Sequence, residues 1–128
     1  MGRISSGIKI DNVIDPTKSI RCDALVDTGA AMLVLPTAWR KQLGKLSKVR
    51  SVDLETATQD VVTADVCGPV RIQIDGFEPI YSEVLFLEMH PTDGKYEPLI
   101  GYIVLEQSQA AVDLVGHRLV RVKHLDLK

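Results

Sequence analysis

Residues 22–36 read "CDALVDTGAAMLVLP", two apolar runs joined by an Asp, a Thr and a Gly. Ala24, Leu25 and Val26 lead into Asp27, which places its carboxylate where a buried strand emerges. An unpaired charge in such surroundings is costly, so a partner or a chemical use must compensate it. One reading is a plain turn, because Asp accepts hydrogen bonds from backbone N–H groups just downstream and Gly is a common turn residue. The other makes Asp27 a working carboxylate whose setting is shaped by Thr28 and Gly29.

On either side of this stretch the chain reads as short strands. "GIKIDNV" alternates, "IRCDALV" alternates and then becomes wholly apolar, and "VRIQI" and "YSEVLFL" keep the same two-residue period. Turn chemistry is expected to separate them at "CGP", "DGFEP" and "HPTDGK". Two segments predict short helices. "PTAWRKQLG" offers Pro36 and Thr37 for a first turn and Gly44 for a stop, and "YIVLEQSQAA" centres on Leu105 to Gln107. "AAVDLVGHRLVRV" predicts a hairpin turning near Val115 and Gly116. The pattern is mainly β and mostly antiparallel, with one or two helices packed outside a small barrel or sandwich.

The 128 residues, 45% hydrophobic and 25% charged, fit a single globular domain over 1–128. Fifteen basic and seventeen acidic residues are spread along the chain, so no basic stripe offers nucleic acid a phosphate-neutralising face. No apolar run approaches the roughly 20 residues that span a bilayer, and no membrane partner is expected. "MGRISS" fits the loose myristoylation pattern at Gly2, which alone gives weak attachment. Cys22 and Cys67 are too few for a disulfide framework and too far apart in sequence for a zinc or redox pair. Two buried, reduced thiols favour a reducing compartment, and a cytoplasmic location is expected.

The order of motifs is more specific than the tripeptide. An apolar run enters "DTGA", a second follows, a strand-rich middle comes next, and "PLIG" at Pro98 to Gly101 precedes a short helix. This resembles the retropepsin-like aspartic proteases, over about Ile20 to Leu114. "LIGYIVLEQSQAAVD" is especially similar to the bacterial members, with a Leu-Glu pair after the glycine and a strand ending in Val-Asp. The resemblance implies a small closed acid-protease-type barrel with a flap hairpin. It also implies that Asp27 is the catalytic aspartate and that the Thr28 hydroxyl ties two active-site loops together across a dimer. Gly29 would give a tight turn close to substrate, and Ala30 is the small residue after the triplet. Leu99, Ile100 and Gly101 would pack behind the loop. The flap tip is placed at Thr56, Ala57, Thr58, Gln59 and Asp60.

Aspartic protease chemistry needs one ionised and one neutral carboxyl in contact, to deprotonate a water while the scissile carbonyl is protonated. "DTG" occurs once in the chain, so the second carboxyl is expected from Asp27 of another copy across a two-fold axis. The expected activity is hydrolysis of peptides or unfolded proteins by a homodimer, without cofactor or metal. Of three departures from the retroviral pattern, the first two motivate an alternative, a weak or inactive peptide-binding or dimerisation module. The flap tip lacks glycine, Ala31 stands where viral enzymes have aspartate, and Tyr102 stands where they have arginine. One chain terminus is expected in the dimer contact, and "GHRLVRVKHLDLK" is expected to pair within the protomer or across that contact.

Other chemistries find less support. His90, His117 and His124 lack ligand spacing. No serine lies in a G-x-S-x-G setting. Trp39 reads as a packing residue on the first helix.

Overall fold

The computed structural model describes residues 3–55 and 58–123. Among the described residues nine strands form: β1 (Ser5–Asn12), β2 (Ser19–Val26), β3 (Leu33–Pro36), β4 (Lys48–Glu55), β5 (Val61–Ile74), β6 (Ile80–Leu87), β7 (Leu99–Ile100), β8 (Ala110–Asp113) and β9 (Arg118–Arg121). A 3-10 helix spans Thr37–Leu43, and α1 spans Tyr102–Gln107. The first seven strands form one sheet in the order β1-β2-β7-β3-β6-β5-β4, and an additional β1–β5 pairing closes it on itself. The closure expected from the sequence therefore takes the form of a ring of paired strands, with β4 attached outside it.

The two-residue period decides what faces inward. Ile8 and Ile10 on β1, Ile72 and Ile74 on β5, and Val84 and Phe86 on β6 are buried together with Leu33, Leu35, Leu43 and Ile100. Each such side chain contributes roughly 1.5–3 kcal/mol by leaving water. The helix α1 seals one side of this core with Val104 and Leu105.

Four local expectations are revised. "CGP" is not a turn between strands but an irregularity inside β5, where the pairing register with β6 shifts between Cys67 and Val70. There one edge of β5 passes from β4, which pairs as far as Cys67, to β1, which pairs from Val70. A bulge of this kind lets one long strand serve two neighbours. The first helix is 3-10 rather than α, and Pro36 ends β3 instead of opening its first turn. Gly44, at φ 68°, stops it and donates its N–H to the Lys41 carbonyl. Cys22 is only half-buried, whereas Cys67 is buried, and both thiols are free. Burial, then the charge of Asp23, pushes the Cys22 thiol up to about 11, so it stays protonated at neutral pH.

The hairpin expected near the C-terminus is present, with β9 paired to β8 within the chain, while residues 124–128 of that stretch lie outside the described residues. Between α1 and β8, the Ser108 hydroxyl is buried with no hydrogen-bond partner among the described residues. Burying an unsatisfied hydroxyl costs free energy that an alanine would not incur. Ser108→Ala is expected to raise stability by about 1 kcal/mol, read as a higher denaturant midpoint with an unchanged slope.

Candidate active site

Asp27 is positioned by three strands. β2 delivers it, and β7 runs parallel to the end of β2, pairing Leu25 with Leu99 and Val26 with Ile100. β7 also lies against β3, with Val34 opposite Leu99. The two-residue β7 thus sits between the strand entering the loop and the strand leaving it. Backbone bonds complete the frame. The Asp27 N–H donates to the Ile100 carbonyl at 3.0 Å, and the Ala30 N–H donates to the Asp27 carbonyl at 3.1 Å.

The helix after β7 ties the far side of the loop. The first N–H groups of a helix have no partner within it. Here Tyr102 N–H donates to the Ala30 carbonyl at 2.9 Å and Ile103 N–H to the Ala31 carbonyl at 3.0 Å. "DTGAA" and "LIGYI", some 70 residues apart in sequence, are therefore fastened to each other through the backbone. Gly101 makes this approach possible, because a Cβ there would lie 2.5 Å from the Ala31 carbonyl carbon and 2.6 Å from its oxygen.

The Asp27 carboxylate is half-exposed, and its Oδ1 accepts the Gly29 N–H at 2.9 Å. Such a bond fixes the orientation of the carboxylate and leaves its second oxygen free among the described residues. Gly29 lies in the turn that the Ala30 to Asp27 bond closes, at a φ that is not positive. A Cβ at Gly29 would come within 3.1 Å of that same Oδ1. Thr28 is exposed, and its hydroxyl has no partner among the described residues.

The hairpin expected to be a flap is formed by β4 and β5, paired from Lys48↔Cys67 to Glu55↔Val61. Thr58, Gln59 and Asp60 are exposed at its end, with the Thr58 hydroxyl donating to Asp60 at 3.1 Å. Thr56 and Ala57 lie outside the described residues. Gln59 adopts φ 67°, so the end turns without glycine. Asp27, Gly29, Ala30, Leu99, Ile100 and Gly101 are brought together directly, whereas Thr58 to Asp60 stand at the end of the hairpin, whose body connects to them.

That link was not foreseen. A second apolar cluster has Val34, Ala64, Val66 and Leu85 at its centre, with Val52 and Leu54 of β4 and Ala30, Met32 and Leu99 of the loop region partly buried against it. The alternation in "SVDLE" carried a signal for the inward face of β4, but nothing in sequence said what that face would meet. A cavity of about 820 Å³ opens beside Leu25, bounded by Leu87, Met89, Tyr96 and the segment between β6 and β7.

Comparison with known proteins agrees with this geometry. The family model described as aspartyl protease matches residues 11–103. Among solved structures, the EIAV protease complexed with the inhibitor HBY-793 is similar at 22% identity and a TM-score of 0.59, covering 82% of this chain and 86% of that one. A comparison with curated proteins finds no match. The mainly β ring that carries the Asp-Thr-Gly loop, backed by Leu-Ile-Gly, has a retroviral protease fold. The chain belongs to the aspartyl protease family.

Proposed function

We propose that this protein is an aspartic endopeptidase that works as a homodimer, with Asp27 of each copy forming one active site. The carrying observation is the Asp27 carboxylate, held by the Gly29 N–H at a half-exposed loop, in a chain with only one "DTG". The exposed Thr28 hydroxyl beside it, without a partner among the described residues, suits a contact with the same loop of a second copy.

Two carboxyls in contact cannot both ionise cheaply, so the pair holds one proton over a useful pH range. The ionised member removes a proton from water, which attacks the peptide carbonyl carbon. The neutral member donates its proton to the carbonyl oxygen, giving a tetrahedral intermediate. Proton transfer to the amide nitrogen then lets the C–N bond break, and the pair is restored. The partly buried Met32, Val52, Leu54 and Leu99 between hairpin and loop favour substrates with large apolar side chains near the scissile bond. Peptides and unfolded proteins are the substrates this arrangement can admit.

Cleavage of an unfolded protein library is expected to peak at about pH 4 to 7 and to fall more steeply than protein concentration on dilution through dimer dissociation. Turnover per chain that stays constant while sedimentation shows monomers would overturn the shared site.

A further inference from the structure

The strand pairing of the hairpin changes along its length. β5 pairs with β6 only from Asp65 (opposite Phe86) toward its C-terminus. From Ala64 back to Val61, β5 has only β4 as a strand neighbour among the described residues, with Val52 to Glu55 opposite it. Asp65 is therefore the last residue at which the hairpin is part of the ring.

At that residue four elements converge. The Arg40 Nη1 of the 3-10 helix donates to Asp65 Oδ2 at 2.8 Å, and the Ser51 hydroxyl of β4 donates to Oδ1 at 3.1 Å. Lys48 Nζ of β4 lies 3.4 Å from Oδ1. Ser51 is the register partner of Asp65 on β4. Phe86 is its partner on β6, and the Arg40 guanidinium stacks over the Phe86 ring at 5.4 Å. Arg40 is itself held in place, because Leu43 is fully buried and the adjacent Trp39 packs edge-on against Tyr96 at 5.9 Å.

We infer that Asp65 and Arg40 are positioning residues for the hairpin: their ion pair pins its hinge to the 3-10 helix and sets the angle at which the hairpin covers Asp27. This rests on the reading of the hairpin as a substrate cover. Both side chains are about two-thirds buried, so water screens the pair less than it does a surface ion pair. Hydrogen bonds from Arg40 and then Ser51 hold the Asp65 carboxyl below the usual carboxylate range. It is thus charged wherever the enzyme would work. A charged partner bonded to both β4 and the helix resists rotation of the hairpin in a way that the apolar contacts farther along it do not.

Hydrogen exchange of the substrate-free protein and peptide cleavage kinetics test this with Asp65→Asn, Arg40→Gln and the double variant. Asp65→Asn is expected to speed exchange of amides 51–55 and 61–64 about tenfold, with β1 and β6 little changed, and to raise KM more than it lowers kcat. Arg40→Gln should do the same, and the double variant should add little to either single change. Unchanged exchange in the hairpin, or equal acceleration in β1 and β6, would overturn the hinge. Selective exchange with KM and kcat both unmoved would overturn the positioning role. A wild type that cleaves nothing would instead refute the catalytic reading, while the exchange result would still judge the hinge.

Discussion

Asp27→Asn is expected to abolish peptide cleavage while leaving the fold in place. Asn has nearly the same shape, and its side-chain oxygen can still accept the Gly29 N–H that orients Asp27 Oδ1. The loop is otherwise fastened by backbone groups, from Asp27 to Ile100 and from Tyr102 and Ile103 to Ala30 and Ala31, which the substitution does not touch. What it removes is the capacity to hold and release a proton, and a fall of about 10²–10⁴ in turnover is expected. The thermal midpoint and circular dichroism spectrum should match the wild type. Mixing wild type with excess Asp27→Asn chain should depress activity beyond simple dilution, because mixed dimers carry one competent carboxyl. Cleavage by the variant at the wild-type rate would remove Asp27 from the mechanism.

The fold was legible where one face of a strand is buried. In "GIKID" the alternation put Ile8 and Ile10 inside and Lys9 outside, as found. It was illegible where the deciding contact is remote. β7 has only two residues, too few for any period, and is a strand because β2 and β3 flank it. "CGP" carries the composition of a turn, yet Gly68 at φ 138° serves a bulge, with its N–H donated to the Ser47 carbonyl. That partner comes from the loop before β4, which no local pattern announces.

The candidate site divides in the same way. Asp27 and its triplet stood out because a charge after an apolar run demands a physical reason. Asp65 did not stand out, since an Asp in an alternating strand looks like an ordinary solvent-facing residue until Arg40, 25 positions away, is folded against it. The flap tip carries no glycine in its sequence. Gln59 supplies the positive φ itself, at the modest cost that left-handed backbone carries for a side chain of ordinary size. Gly29 lies in the turn expected of it, closed by the Ala30 to Asp27 bond, and its missing Cβ also leaves space beside the carboxylate.

Gly101→Ala should damage stability and activity together, which separates it from Asp27→Asn. The backbone at Gly101 has φ −84°, a conformation open to any residue, so the penalty is steric rather than conformational. The added methyl meets the Ala31 carbonyl carbon at 2.5 Å and its oxygen at 2.6 Å, with the Met32 carbonyl oxygen also in its way. These are backbone atoms and cannot rotate aside. Moving them stretches the bonds from Tyr102 and Ile103 and shifts the start of β3, where Leu33 is fully buried and paired with Val84. Overpacking of this kind costs about 3 kcal/mol, a large share of the roughly 5–15 kcal/mol that holds a domain folded. Gly94→Ala is the control. Gly94 sits at φ 74° with open space around it, so alanine there incurs only the left-handed backbone cost of about 1 kcal/mol and cleavage should persist. A Gly101→Ala protein that melts with the wild type would mean that "LIG" does not brace the Asp27 loop. Loss of cleavage with reduced stability, beside an active Gly94→Ala, would place the brace where the backbone of Ala31 and Met32 crosses Gly101.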